Sequence, residues 1–315
     1  MTWKPIVAGV DASPQAATAA AFAWRIAQAA NADCHFVHGS RPLFRSATAE
    51  FATDVNLLIE QQMEAARMGV SATIERSVPP AALRALDIRA GRGASVVTEA
   101  AREHGASLIV LGGKHHSTLG RWMGGSTAHH VVRVTDIPLL VTGERAEGVR
   151  RVLVSADLSY AVRPTFEAAV RLARLFGAEL RVLHAVEPLP VFAEMPALWN
   201  EEGFFEDSRI QLERCLEPLL EDVVAASVVR RGYAAEAIAA EVASWGADLV
   251  VVGSHGKGWV DRLLLGSTTE RLLDQLPASL LVVPVPAPPG ERHPGRAERL
   301  ARQAKQRAAR STAAG

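Results

Sequence analysis

The sequence predicts an α/β protein built from two tandem, open, five-stranded parallel sheets, each covered by helices on both faces. Three observations predict it. Short apolar runs alternate with helix-like segments, which is the pattern of a parallel sheet buried on both sides. The same elements recur in the same order in the second half of the chain. The length, 315 residues, suits two domains of roughly 100–200 residues each.

The repeat can be followed residue by residue. Ile6-Val7-Ala8-Gly9-Val10-Asp11 matches Val152-Leu153-Val154-Ser155-Ala156-Asp157, displaced by 146 residues. At the same displacement Ala32-Asp33-Cys34-His35-Phe36-Val37-His38 matches Ala178-Glu179-Leu180-Arg181-Val182-Leu183-His184. Gly105–Gly112 then matches Gly246–Gly253, and Gly125-Ser126-Thr127 matches Gly266-Ser267-Thr268, both displaced by 141 residues. The first half therefore carries about five extra residues in its middle. Four ordered matches with one small change of offset indicate a duplicated domain.

In the first half Ile6–Val10 reads as a strand and Pro14–Ala30 as an alanine-rich helix. Ser13-Pro14 suits an N-cap followed by proline at the first helical position. Cys34–His38 is the second strand and Asp54–Met68 a helix. Leu108–Leu111 and Leu139–Val141 are later strands with a helix between them. The second half repeats this as Val152–Ala156, Thr165–Phe176, Leu180–Val186, Ile210–Leu220, Leu249–Val252, Thr269–Leu276 and Leu280–Val283. Leu86-Asp87-Ile88-Arg89 pairs with Val228-Val229-Arg230 as the third strand of each copy, and Ser71–Pro80 has no clear reading. The domains are expected at 1–147 and 148–286. The polar run Thr142-Gly143-Glu144-Arg145-Ala146-Glu147-Gly148 links them, and a basic, disordered tail follows at 287–315.

Lysine plus arginine is 34 and aspartate plus glutamate is 34. With no net charge there is no global basic field, which argues against nucleic acid as a partner. Only the tail is uneven: Arg292, Arg296, Arg299, Arg302, Lys305, Arg307 and Arg310 face Glu291 and Glu298. A tail so poor in large apolar residues reads as solvated; attachment to an acidic partner or nucleic acid is the alternative. Cys34 and Cys215 have no disulfide or metal spacing, and a reducing cytoplasm fits them. Met1-Thr2-Trp3-Lys4-Pro5 leads straight into a strand, so no signal peptide is expected. No apolar run approaches the ~18 residues of a membrane span.

The chemistry concentrates after the fourth strand of the second half. There Gly253-Ser254-His255-Gly256 is followed, nine residues on, by Gly266-Ser267-Thr268 and a helix. A buried strand thus runs into a glycine-rich loop that ends at a helix start. Main-chain N–H groups and the positive end of the helix dipole then favour a phosphate. In a parallel sheet, ligands sit beyond the carboxyl ends of the strands where the strand order reverses. Asp157 ends the first strand there and His184-Ala185 the second; Asp11 and His38-Gly39 correspond in the first half. A carboxylate can accept hydrogen bonds from a ribose or a base, and backbone after the second strand can read an adenine edge. These are the parts of a mononucleotide site.

On these residues the chain resembles the universal stress protein family, as a tandem pair over about residues 4–142 and 150–284. Each half has the Asp-ending first strand, the Val-His or Leu-His second strand and the glycine loop. The second half carries the ATP-binding pattern Gly-x2-Gly-x9-Gly-Ser as Gly253, Gly256, Gly266 and Ser267. The resemblance implies Rossmann-like domains of the adenine nucleotide alpha hydrolase type, paired as an internal pseudo-dimer through Leu139–Val141 and Leu280–Val283. It implies ATP on the second loop, sometimes with Mg²⁺ or Mn²⁺, with Asp157 and Ala185 at the ribose and adenine. It also implies a regulatory, stress-responsive role with an unidentified protein partner, and leaves a homodimer open.

The first half departs from the pattern. Gly112, Gly125 and Ser126 are present, but His115 replaces the second glycine, and its ring would crowd a phosphate. Gly113 and Gly124 offer the loop another path. Other readings compete at several residues. Asp11 and Asp157 could cap the following helices. Lys257, His255 and Arg262 could neutralise phosphate or simply be solvated. Ser267 and Thr268 could bind phosphate or act as N-caps. His38 and His184 read as structural. His115-His116 and His129-His130 do not read as metal ligands, because adjacent residues face apart. No nucleophile elbow, P-loop lysine or acid–base pair stands out, so at most slow ATP hydrolysis is expected; an interaction module without nucleotide is the other reading.

Overall fold

The computed structural model describes residues 3–41, 52–116, 121–123, 126–143, 148–159, 162–187, 201–220, 223–254 and 265–285. Residues Met1–Val285 form one compact unit, and the second unit, Pro286–Gly315, lies outside the described residues, as does the tail reading.

The first half runs β1 (Ile6–Gly9), α1 (Pro14–Ala30), β2 (Cys34–Ser40), α2 (Ala52–Ile74), a single turn α3 (Pro80–Leu83), β3 (Leu86–Ala90), α4 (Gly93–Glu103) and β4 (Leu108–Gly112). It continues with a ribbon of β5 (Lys114–His116) and β6 (Arg121–Met123), then α5 (Ser126–Val134) and β7 (Leu139–Thr142). The second half runs β8 (Arg151–Ser155), α6 (Val162–Phe176), β9 (Glu179–Val186), α7 (Glu201–Leu216) with a 3-10 turn at Glu217–Leu219, β10 (Ala225–Arg231), α8 (Ala234–Trp245), β11 (Leu249–Gly253), α9 (Ser267–Gln275) and β12 (Ser279–Val283).

Ten strands form one sheet in the order β10-β9-β8-β11-β12-β7-β4-β1-β2-β3. Each half contributes five parallel strands, and the order reverses between β1 and β4 and between β8 and β11. The halves share register as well as order: Ile6 pairs with Leu108 where Val152 pairs with Leu249. The expected pairing of the final strands is found. β7 and β12 run antiparallel, with Leu139 opposite Val282, Leu140 opposite Leu281 and Val141 opposite Leu280. A pseudo-two-fold axis therefore passes through the Leu140–Leu281 pair.

Period-two alternation builds a core on each face of the sheet. Ile6, Ala8, Phe36, Leu108, Val110 and Leu140 pack under α1, α2 and α6, while Val7, Val37, Ile109, Leu139 and Val141 pack under α4, α5 and α8. Both layers continue across the β7–β12 seam.

Several element limits move. α2 runs on through Ser71–Ile74, so the first part of the unread segment is helical and 75–77 forms a turn, and α7 begins nine residues before the expected Ile210. α4 and α8, alanine-rich helices against the sheet, and the β5–β6 ribbon go beyond the elements expected from sequence. Thr142 and Gly143 belong to the packed sheet, not to the connection: Thr142 is fully buried, and the Gly143 N–H donates to Ser279 Oγ at 3.1 Å.

Candidate functional site

The carboxyl ends of β8, β9 and β11 lie side by side at the point where the strand order reverses. Asp157, Ala185 and Gly253 are thereby brought to one edge of the sheet, all partly exposed. Among the described residues the Asp157 carboxylate bonds to Ser159 rather than to α6. Its Oδ1 accepts from the Ser159 N–H at 3.0 Å and the Ser159 hydroxyl at 2.7 Å, closing a tight turn after β8. The residue between them, Leu158, has φ +57°. A left-handed leucine costs about 1–2 kcal/mol, and such strain persists where the surroundings over-determine it. A carboxylate has about four acceptor positions, so Asp157 retains capacity for a hydroxyl donor.

Asp11 makes the same turn in the first half, accepting from the Ser13 N–H at 2.9 Å and from its hydroxyl. Ser13 sits at the N-cap position of α1 as expected, yet its side chain makes no cap bond because Asp11 holds it. His38 and His184 are structural in the same way in both halves: Nδ1 lies 2.8 Å from Val10 O and 2.7 Å from Ala156 O, tying the end of the second strand to that of the first.

The glycine loop of the second half is clamped at its base. The Ser254 N–H donates to Val283 O at 2.8 Å, its carbonyl accepts from the Gly266 N–H at 3.0 Å, and its hydroxyl accepts from the Val285 N–H at 3.1 Å. The Thr269 hydroxyl donates to Gly253 O at 2.8 Å, which ties the first turn of α9 to the end of β11. Residues 255–264, which include His255, Gly256, Lys257 and Arg262, lie outside the described residues. The described residues on either side of them, Ser254 and Gly266, are hydrogen-bonded to each other. Gly266, not Ser267 or Thr268, takes the N-cap position of α9, and among the described residues no side chain caps that helix. Ser267 and Thr268 are its first two residues; Ser267 is exposed and Thr268 partly so. An uncapped helix start at a loop mouth presents main-chain donors outward.

The first half keeps the frame and changes the loop. Gly112 ends β4, and a β-carbon there would lie 2.9 Å from Gln15 O, so this glycine is required by the close approach of α1. The Gly113 N–H donates to Thr142 O at 3.0 Å, the counterpart of the Ser254 main-chain bond. His115, where the pattern has glycine, takes extended backbone in β5 opposite Trp122 of β6. The ribbon lies against α9 of the other half. Ser126 opens α5, and Gly124 and Gly125 lie outside the described residues.

Sequence reasoning missed Thr269, Ser254 and Leu158 as parts of this site. For the first two a signal existed: at the 141-residue displacement they face Ala128 and Gly113, so the hydroxyls occur only beside the intact loop. Among the described residues no group of three His, Cys, Asp or Glu could hold a metal ion, and no helix is long and apolar enough to cross a membrane.

Comparison with known proteins agrees with the duplicated architecture. The model of the universal stress protein family matches twice, over residues 2–143 and 148–284. A universal stress protein of Thermus aquaticus is 31% identical over 141 residues, covering 42% of this chain and 98% of that protein. Universal stress protein Rv2319c of Mycobacterium tuberculosis is 27% identical over 209 residues, covering 62% of this chain and 70% of that protein. The crystal structure of a universal stress protein from Archaeoglobus fulgidus aligns with a TM-score of 0.61 at 17% identity, covering 90% of this chain and 99% of that one.

Proposed function

This chain belongs to the universal stress protein family, matched over both halves, and we propose that its second half binds ATP and reports occupancy through a surface that a regulatory protein partner reads. The observation that carries this reading is the clamped excursion between Ser254 and Gly266, which opens on the uncapped start of α9 beside Asp157.

In this reading the main chain around Gly253, Gly256 and Gly266 approaches the triphosphate, where side chains would intrude. Ser267 and Thr268 add hydroxyls. The α9 dipole favours the negative charge. Asp157 accepts from a ribose hydroxyl, and main chain at Ala185 meets the adenine edge. His255, Lys257 and Arg262 supply cationic side chains at the phosphates. Mg²⁺ or Mn²⁺, when bound with ATP, would neutralise phosphate charge and polarise the terminal phosphoryl group. The role in this reading is regulatory binding, with at most slow ATP hydrolysis. In the first half, Asp11, Gly112, Gly125 and Ser126 keep the outline of a site whose loop serves as a ribbon. Such a sensor suits the cytoplasm.

Calorimetric titration with Mg-ATP tests this. The wild type is expected to give saturable heats, and Gly256→Val to give none. Indistinguishable heats from the two proteins would refute the site. Asp157→Ala is expected to weaken binding about 10–100-fold, by loss of hydrogen bonds to a charged acceptor.

A further inference from the structure

The seam between the halves carries a charge code. α5 and α9 meet beside the pseudo-two-fold axis, joined by an arginine–carboxylate ion pair and by a histidine–carboxylate contact that is charged on both sides only when the ring is protonated. Arg133 Nη2 lies 2.6 Å from Glu270 Oε1, and His129 Nε2 lies 3.1 Å from Asp274 Oδ1. Position 129 corresponds to 270 and 133 to 274 at the 141-residue displacement. The two contacts are therefore the same contact generated twice by the pseudo-two-fold, as in any isologous interface. The signs are not the same. The first half supplies both nitrogen side chains and the second half both carboxylates.

Two features show that this segregation concerns the partner. Within each helix the two residues are four apart, so they lie on one face. Like charges at that spacing disfavour an isolated helix; Glu270 and Asp274 gain nothing from each other. Here each meets a nitrogen side chain of α5, the helix that presents the complementary groups at both positions. The apolar part of the seam, by contrast, cannot discriminate. Leu139, Leu140 and Val141 face Val282, Leu281 and Leu280, so either strand would pair nearly as well with a copy of itself.

We propose that the His129/Arg133 and Glu270/Asp274 faces dictate which halves can pair, so that the partner this seam accepts is a universal stress domain of opposite charge at these positions. Pairing of two second halves would set Glu270 against Asp274 twice. Pairing of two first halves would set His129 against Arg133 twice and leave both without a carboxylate. Rejection of the wrong partner comes from like-charge contact in the alternative, not from strong ion pairs in the native seam. The seam is thus closed to second copies of either half and fits only the complementary half.

The test uses the full chain with a protease site placed within residues 144–147 and cut after folding. Native mass spectrometry of the cut wild type is expected to show only first-half with second-half complexes. Glu270→Lys/Asp274→Lys, made in the same chain, should speed exchange of its halves by at least about tenfold. Mixed with cut wild type, its basic second half should pair with the acidic wild-type second half, a species absent from either protein alone. Adding His129→Glu/Arg133→Glu should restore wild-type exchange. Unchanged exchange, no second-half pairing, or failure of the fourfold swap to restore would each overturn the proposal. If the reversed chain does not fold, exchange in the cut wild type decides: it should accelerate between about 0.02 and 0.5 M salt, since these side chains are partly exposed and screened. A salt-independent rate would overturn it.

Discussion

The two halves keep the same strand order, register and core, yet they treat the loop after the fourth strand in opposite ways. In the second half Ser254 and Thr269 clamp the base of the loop through their hydroxyls, and Leu158 is held in a strained turn beside it. In the first half Gly113, Ala128 and Ala12 stand at those places, His115 stands for Gly256, and the chain folds into a ribbon. Everything that buries apolar area has been preserved, while the side chains that position a loop have been preserved once. The difference teaches that the scaffold and the loop are held by separate interactions, and that among the described residues the hydroxyl contacts beside the loop occur in the second half.

A second contrast lies away from the loop. Glu241 is 1% exposed and is held by Arg181 and by Arg230, whose Nη2 lies 2.7 Å from Oε2. Arg181 in turn stacks on Trp245, 4.2 Å from the ring centre. The first half replaces this with a neutral-capable pair, His35 stacked on His104 with centroids 3.8 Å apart, and with Ala100 in place of the glutamate.

The largest effect should come where the halves are most alike. Leu140→Asp and Leu281→Asp each bury a carboxylate at the pseudo-two-fold. Each should cost several kcal/mol and by similar amounts, as chemical denaturation would show; a large disparity would mean that the seam is not symmetric in energy.

Next is Glu241→Ala, expected to cost about 2–4 kcal/mol, because it leaves two guanidinium groups without their shared carboxylate. Ala100→Gly, its counterpart, should cost no more than about 1 kcal/mol. Burial alone would raise the Glu241 carboxyl, but hydrogen bonds from Arg181 and Arg230 outweigh it and hold it below its ordinary 4.5. Its stabilising contribution is therefore present above pH 4.5 and is lost as pH falls below that value. Acid unfolding followed by tryptophan fluorescence should show the variant losing part of this dependence.

Thr269→Val removes the donor to Gly253 O and should cost about 1 kcal/mol, with a several-fold loss of ATP affinity in calorimetry. Ala128→Thr in the first half should leave ATP affinity unchanged, because its ribbon remains. If both variants behave alike, the clamp is not what separates the halves.

The smallest effect concerns His35. Burial, with the adjacent His104, lowers its pKa below the ordinary 6.5. The unfolded chain then takes up the proton first, so stability is full above pH 6.5 and declines as pH falls below it. Denaturation between pH 7 and 5.5 should show this slope, and His35→Phe should flatten it.

Much of this was legible in the sequence because burial patterns are local. The run Leu249–Val252 could only be a buried strand, and the displacement of 141 residues fixed its twin. Pro14 and Asn31 bracket α1 as its sequence indicates, Asn31 ending it with φ +49°. The limits of α7 were less legible: Glu201–Arg209 holds a glycine and, beside Phe204 and Phe205, only polar residues, so no apolar period marks the helix start. The hydroxyl clamps were hidden for another reason. Nothing in Thr269 itself distinguishes a first-turn threonine from one that reaches sixteen residues back to a strand end. Only comparison with Ala128 reveals it. The charge code at the seam was likewise invisible until pairing showed that residue 133 meets 270 and residue 129 meets 274.

The central claim is that duplication left one working nucleotide site, in the half with the clamped loop. Native mass spectrometry of the intact chain with increasing Mg-ATP counts the sites directly. The account predicts saturation at a single nucleotide per chain in the wild type and none in Gly256→Val. Two nucleotides per chain, or one that persists in Gly256→Val, would contradict it.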